Sequence, residues 1–540
     1  MGIRRNVLRL PSKIFIIALL SISQIIVTAS CAVSRENSSG SGGVNSSSAN
    51  ITSSSDNSTG TIKSGTLRLW MQPPVTFNPL ISTQYQWNQI SHLFYESLFH
   101  IGSRQELTAD LADKYSISGD GLTYRIDLKD KVLFHDNTAF DSQDVLSTIQ
   151  FIQNQTNRSI YFDQLVNISS VTIIDDLSLE IKLSKIDPFF LYDLNFPVLS
   201  SEAIDNTDIA YQPGTGLYKI MSYEKGNLMK AALFSNNRNS KDCRIKTINI
   251  LELEDTRDAM QAFGDDKVDM VSLKDSSYDT YYLRNDMKII RYPGNKFIFF
   301  EMNQPEGALL KNTEKSDFIK SLILKSSLLD GFENIFISKA QIPVLSTSIM
   351  IHQIHCEDVL NISTAVNPFK PADTLKIIYT LGDMVKELLI SELGAILKLN
   401  GIDFVASGYE SAKFNDIIKE GDYDLALREA TLGGNPDPSW LYLPASLRLV
   451  KDIETINKSS SVIFTESQTY FQQMYAMPDL QINAENFCGV LNKLARNGPF
   501  IGLGFRINGI ILSKRIKGRI DSNSFNQYND IKDVWVWSGQ

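Results

Sequence analysis

Cysteine is scarce in this chain. Its 540 residues hold four, Cys31, Cys243, Cys356 and Cys488, and no CxxC pair. A zinc knuckle or a thioredoxin-like motif therefore has no support. Apart from Cys31, treated below, three thiols remain. An odd number argues against a full disulfide framework and for buried thiols. A basic excess is lacking too. Lys and Arg total 52 against 61 Asp and Glu, a net charge of −9. That balance excludes the electrostatic footprint of a nucleic-acid binder and leans toward cationic or zwitterionic ligands. No GxSxG elbow, HExxH pair or Walker A loop occurs, so nothing argues for an enzyme. No cofactor signature stands out either. Long apolar runs are missing: Ile14 to Val27 is broken by Ser21, Ser23 and Gln24, too short and too polar for a membrane span.

What is present begins with a leader. Arg4, Arg5, Arg9 and Lys13 precede the apolar stretch, and the small residues Ala29 and Ser30 precede Cys31. This is the layout of a signal peptide over 1–30. Val27-Thr28-Ala29-Ser30-Cys31 resembles a bacterial lipobox, which makes Cys31 the expected lipidated residue, with Thr28 where that motif prefers leucine. Ser34 to Ser64 is dominated by Ser, Gly, Asn and Thr, within an expected tether at 31–64. Such a chain cannot bury a core and behaves as a flexible tether.

The remaining length is too great for one core. The stretch Gly421 to Trp440 reads as a turn, a strand, a glycine-marked loop and a helix start. Gly433 and Gly434 are expected to end the strand by adopting backbone angles that other residues avoid. Asn435-Pro436-Asp437-Pro438 is stiff and extended, since each proline keeps its predecessor out of the α region. Asp437 thus stands at the carboxyl end of a strand, where open α/β sheets bind ligands. Asp437 is also a plausible helix N-cap, and the two roles are compatible. Arg428 and Glu429 form either a solvated ion pair or, through Arg428, a carboxylate clamp. Trp70, Tyr85, Trp87 and Trp440 line a pocket or fill a core. His352, His355 and Cys356 form HxxHC, whose donors suit nickel, copper or zinc but lack a visible fourth ligand. His135 reads as structural.

Periodicity predicts a β-α-β-α-β run. Lys376–Tyr379 is a strand, and Met384–Leu399 is a helix with Val385, Leu388, Leu389, Leu393, Ile396 and Leu397 as its apolar stripe. Gly401 suits the end of that helix. Ile402–Ala406 is a strand, Ser411–Lys419 a helix and Tyr423–Glu429 a strand. Parallel pairing with right-handed crossovers follows. Upstream, Asp120-Gly121 is a hairpin turn and Asp141 an N-cap.

The ordered set FNPL, HLFYESLF, LADKYSISGDGLTYRIDL, VLFHDNTAFDSQDV, PGTGLYKI, LKIIYTLGD, LNGIDF, GDYDLAL and NPDP resembles the bacterial extracellular solute-binding proteins of family 5. These are the oligopeptide-, dipeptide- and nickel-binding lipoproteins of ABC importers. The likeness covers most of Gly65 to Ile520. The chain departs from it in 303–351, where the usual middle signature is missing, and at Thr431, where an aromatic is common. The resemblance implies an α/β, two-lobe, type II periplasmic-binding-protein fold whose larger lobe carries a subdomain at about 97–204. It places lobe I at 65–302, lobe II at 303–510 and a return to lobe I at 511–540, with hinge crossings near Phe297–Asn303 and Gly504–Lys517. It implies a peptide held in the interlobe cleft with its ammonium on Asp437, and Asn435, Arg428, Thr431 and Trp440 nearby. A monomer on the outer face of the cytoplasmic membrane, serving a permease and an ATPase, completes the expectation. Two alternatives stay open: a nickel or metal-chelate receptor using His352 and His355, and a surface sensor that no longer transports.

Overall fold

A computed structural model describes residues 65–204, 211–273, 287–345, 347–348, 366–437, 441, 489, 491–492, 495–496 and 498–537. The signal peptide, Cys31, the tether, His352, His355, Cys356, Trp440 and Cys488 lie outside the described residues.

The strand Thr66–Met71 alternates inward Leu67 and Leu69, both fully buried, with outward residues. It pairs in parallel with Thr247–Glu252, which continues antiparallel to Leu228–Leu233 and then Tyr218–Glu224. A second four-stranded sheet is wholly antiparallel, in the order Ala112–Ile117, Thr123–Leu128, Ser178–Leu183, Ile168–Asp175. Asp120-Gly121 makes its first hairpin as the sequence predicts. Gly121 takes φ +71° while the Asp120 carboxylate accepts from Leu122 N at 3.0 Å. The helix Ser142–Gln153 starts at Asp141, whose side chain accepts from Gln143 N, with Asp144 closing a capping box. Such a cap is worth about 1 kcal/mol. Both sheets share one large core.

The third sheet has seven strands. Its path runs Met270–Leu273, Phe500–Ser513, Met287–Met302, Leu425–Thr431, Thr374–Thr380, Asp403–Tyr409, with Ile337–Lys339 also against Phe500–Ser513. The predicted β-α-β-α-β run is here: Thr374–Thr380 pairs in parallel with both Asp403–Tyr409 and Leu425–Thr431. Its helices span Met384–Leu399 and Ser411–Glu420, each followed by a left-handed glycine, Gly401 and Gly421. Two details differ from expectation. Leu388 is exposed, so the buried stripe is Val385, Leu389, Leu393 and Leu397. The last strand begins at Leu425 rather than Tyr423; just before it, the Asp424 carboxylate accepts from Lys376 N at 2.8 Å.

The two long strands tie the fold together. Met287–Pro293 pairs with Ile507–Ser513, and Phe297–Glu301 pairs with Phe500–Phe505. The register shifts between Pro293 and Phe297, and again between Ile298 and Phe299. Bulges of this kind bend a strand and increase its twist. On one side of the shift Met270–Leu273 extends the sheet. On the other, Leu425–Thr431 does. The core beside Phe300 and Ile377 is separate from the core beside Leu67. A seam cluster of Phe189, Phe297, Phe299, Phe500 and Phe505 lies at the change-over.

Candidate functional site

The loop after Leu425–Thr431 is pinned at its start. Leu432 N donates to Asn295 O at 2.8 Å, and Asn295 Nδ2 donates to Leu432 O at 2.9 Å. The next five residues reach the subdomain. Asn435 Oδ1 accepts from Asp437 N at 2.9 Å, an Asx turn that sets the carboxylate's direction. Asn435 Nδ2 donates to Asp193 Oδ1 at 2.8 Å, and Gln105 Nε2 lies 3.5 Å from Gly434 O.

The two glycines act differently from expectation. Neither Gly433 nor Gly434 takes a positive φ. A Cβ on Gly434 would come within 2.5 Å of Ile101 Cδ1, whereas one on Gly433 meets nothing nearer than 3.9 Å. Close approach of the loop to the subdomain is the requirement, and it falls on Gly434 alone.

Of the expected site residues, the structure brings Asn435 and Asp437 to one place. Thr431 is exposed at the strand's end, paired with Lys296. Arg428 is engaged elsewhere: Nη1 donates to Glu301 at 2.6 Å, with 14% and 4% of the two side chains exposed. A solvated pair between Arg428 and Glu429 is thus overturned, because neighbouring strand residues point to opposite faces. Glu429 instead meets Arg506 Nε and, at 3.4 Å, Lys386 Nζ. Trp70 and Trp87 are core residues, and the Tyr85 hydroxyl accepts from Gln527 Nε2 at 2.7 Å. His135 is structural: Nε2 bonds Gly216 O at 3.0 Å and Nδ1 accepts from Gly214 N at 3.3 Å. Cys243 is a free, buried thiol. Neither of two surface hollows, about 420 and 400 Å³, is lined by an expected site residue.

Sequence reasoning missed the opposing wall. Asp193 ends the short helix Phe190–Asp193 and is buried. Burial first, then Asp187 and Asp437, push its carboxyl well above the usual range, while the bond from Asn435 opposes the shift. Asp187 is itself raised by burial, against bonds from Phe189 N and Asn167. The signal was available. Asp193 is the one acidic residue in the apolar run Phe189 to Val198, and a charge inside such a run asks for a reason.

Residues 106–314 match the sequence model of the bacterial extracellular solute-binding proteins, family 5, middle region. A glutathione-binding protein, GsiB of Pectobacterium atrosepticum, is 31% identical over 152 residues, which is 27% of this chain and 30% of that protein. The matched stretch is thus under a third of that relative's length. Among solved structures, the ABC transporter substrate-binding protein CtaP of Listeria monocytogenes superposes with TM-score 0.71 at 17% identity, covering 87% of this chain and 99% of that one. The murein tripeptide-binding protein MppA, in its open form, gives TM-score 0.72 at 15% identity, with 89% and 99% covered. These likenesses establish the fold, the type II periplasmic-binding-protein architecture expected from the sequence. Over residues 106–314 the chain is thus similar to the bacterial extracellular solute-binding proteins of family 5, within a fold of the type II architecture.

Proposed function

We propose that this protein is the lipid-anchored substrate-binding component of an ABC importer, capturing a short peptide against the loop 432–437 and handing it to a permease. One observation carries the reading. The Asx turn at Asn435 presents Asp437 beside a wall of a separate sheet and its short helix, with Asn435 already bonded across to Asp193. A ligand placed there touches two bodies joined by the bulged strands Met287–Met302 and Phe500–Ser513. It stabilises the closed arrangement by its greater affinity for that arrangement. Asp437 offers a peptide ammonium a charge-assisted bond. Backbone pairing with an extended peptide would leave side chains to hydrated pockets, so sequence tolerance is expected. The strands Phe500–Ser513 and Ile516–Gly518 carry the chain back to the first core.

Native mass spectrometry of the full chain, purified without denaturant, tests the cargo. Mixed short peptides at one per protein support the reading. Stoichiometric nickel in their place would sink it. Radiolabelled palmitate tests the anchor: wild type incorporates label, and a Cys31→Ala variant that still does so refutes lipidation at that residue.

A further inference from the structure

Asp193 lies on the wall facing the loop, and the charged groups around it are acidic. Asp187 approaches from the turn before its helix and Asp437 from the loop. Among the described residues no cation pairs with it; its bonded partner is the Asn435 amide. Two further acceptors stand on the same wall. Gln105 is 2% exposed, its amide set against Gly434, and its Oε1 has no hydrogen-bond partner. Asn195, two residues beyond Asp193, has its amide near Gly434, and its Oδ1 is likewise buried and unpartnered. Gln105 also holds a left-handed backbone, φ +54°, which points to a position imposed by its surroundings. A buried acceptor without a donor is costly and calls for an explanation. Two carboxyls and two unpartnered amide oxygens gathered at one loop contact are complementary to one chemistry, a donor-rich cation.

We propose that Asp193, with Gln105 and Asn195, forms the second wall of the ligand's cation subsite, facing Asp437 and selecting ligands that carry an ammonium or guanidinium group. This rests on the loop 432–437 being ligand-facing. It adds the subdomain as a specificity-determining partner of that loop. It also couples binding to protons. Burial first, then Asp187 and Asp437, raise the Asp193 carboxyl, which favours its protonated form in the empty protein. Delivering a cation reverses that balance, because an opposite charge within a few ångströms favours the ionised form. The proton passes to solvent as the ligand's charge takes its place. Affinity then rises with pH while Asp193 is protonated in the empty protein.

The test uses the detergent-solubilised full chain and two probes: a mixed tripeptide pool with free amino termini, and the same pool N-acetylated. Calorimetry is run in two buffers of different ionisation enthalpy at neutral pH. Wild type should prefer the free-amine pool and release protons on binding it. Asp193→Asn, which keeps the shape and removes the charge, should abolish the proton release. It should cut the preference for the free amine over the acetylated pool by about tenfold, equivalent to ~1.4 kcal/mol. Gln105→Met should lower the same preference without touching proton release. An Asp193→Asn protein with undiminished preference and proton release overturns the inference while the receptor reading stands. Equal loss for both pools also overturns it, since Asp193 would then only clasp Asn435. If wild type binds neither pool, the receptor reading falls with it.

Discussion

Replacing Arg506 by methionine tests how the fold holds its change-over. The Arg506 side chain is 2% exposed and sits on Phe500–Ser513 where pairing passes from one end of the sheet to the other. Its Nε donates to Glu429 and its Nη2 to Asp383, the residue that caps the helix Met384–Leu399. Losing one partner of a buried pair costs about 3–5 kcal/mol, because the orphaned charge stays behind. Two features place this case at the low end. Asp383 is 29% exposed, and Lys386 remains 3.4 Å from Glu429. We expect about 3 kcal/mol for Arg506→Met, and roughly half of that returned when Glu429→Gln is added. Urea midpoints read by tryptophan fluorescence at pH 7 give both numbers. The pH dependence supplies a second check. Burial alone would raise the Asp383 carboxyl, but bonding and attraction from Arg506 outweigh it and hold it below its ordinary 3.8. A depressed carboxyl contributes stability above its unfolded value and loses it as pH falls through the folded value. The gap between wild type and variant should therefore narrow below pH 3.8. A loss under about 1 kcal/mol, or a gap constant into acid, would refute the network.

Four further outcomes follow from the described geometry. A Cβ on Gly216 would meet the Phe94 carbonyl carbon at 2.4 Å, so Gly216→Ala should lower the unfolding free energy by about 1–3 kcal/mol, read in a thermal scan. Gly119→Ala, with nothing within 4 Å, should sit within about 0.5 kcal/mol of wild type in the same thermal scan. Burial and Asp110 raise Glu96 to about 7 despite Arg238. A raised carboxyl gives stability that is full below 4.5 and declines as pH rises toward 7. Glu96→Gln should flatten the unfolding midpoint over that interval, and an unchanged slope counts against the assignment. Cys243, bonded to the Tyr218 hydroxyl at 3.0 Å, should resist iodoacetamide until urea is added, as judged by mass spectrometry of its peptide.

The order of elements was legible because local chemistry dictates it. Asp120-Gly121 turns because Gly121 accepts a positive φ and Asp120 bonds forward. Met384–Leu399 is helical because Asp383 caps it and an apolar stripe faces the sheet. One boundary moved: the last strand starts at Leu425, next to Asp424, whose carboxylate bonds Lys376 N. The site was half legible. Asn435 and Asp437 announce themselves through the prolines, but Arg428 does not reveal its partner. Glu301 lies 127 residues away, and only the register of Leu425–Thr431 against Met287–Met302 brings it near.

Gly434 shows why the opposing wall stayed hidden. A glycine pair before Asn435 reads locally as a strand breaker. Its physical cause is 333 residues back along the chain, in the Ile101 side chain that would collide with a Cβ. Asp193 is hidden for the same reason: its partner, Asn435, is 242 residues on. Both facts concern one contact, the loop resting on the subdomain. A sequence read locally recovers each half of such a contact as an oddity, a superfluous glycine and an acid in an apolar run. Only their juxtaposition turns the two oddities into one site. On the proposed reading, the same contact lets a residue with no motif of its own, Asp193, govern what Asp437 can hold.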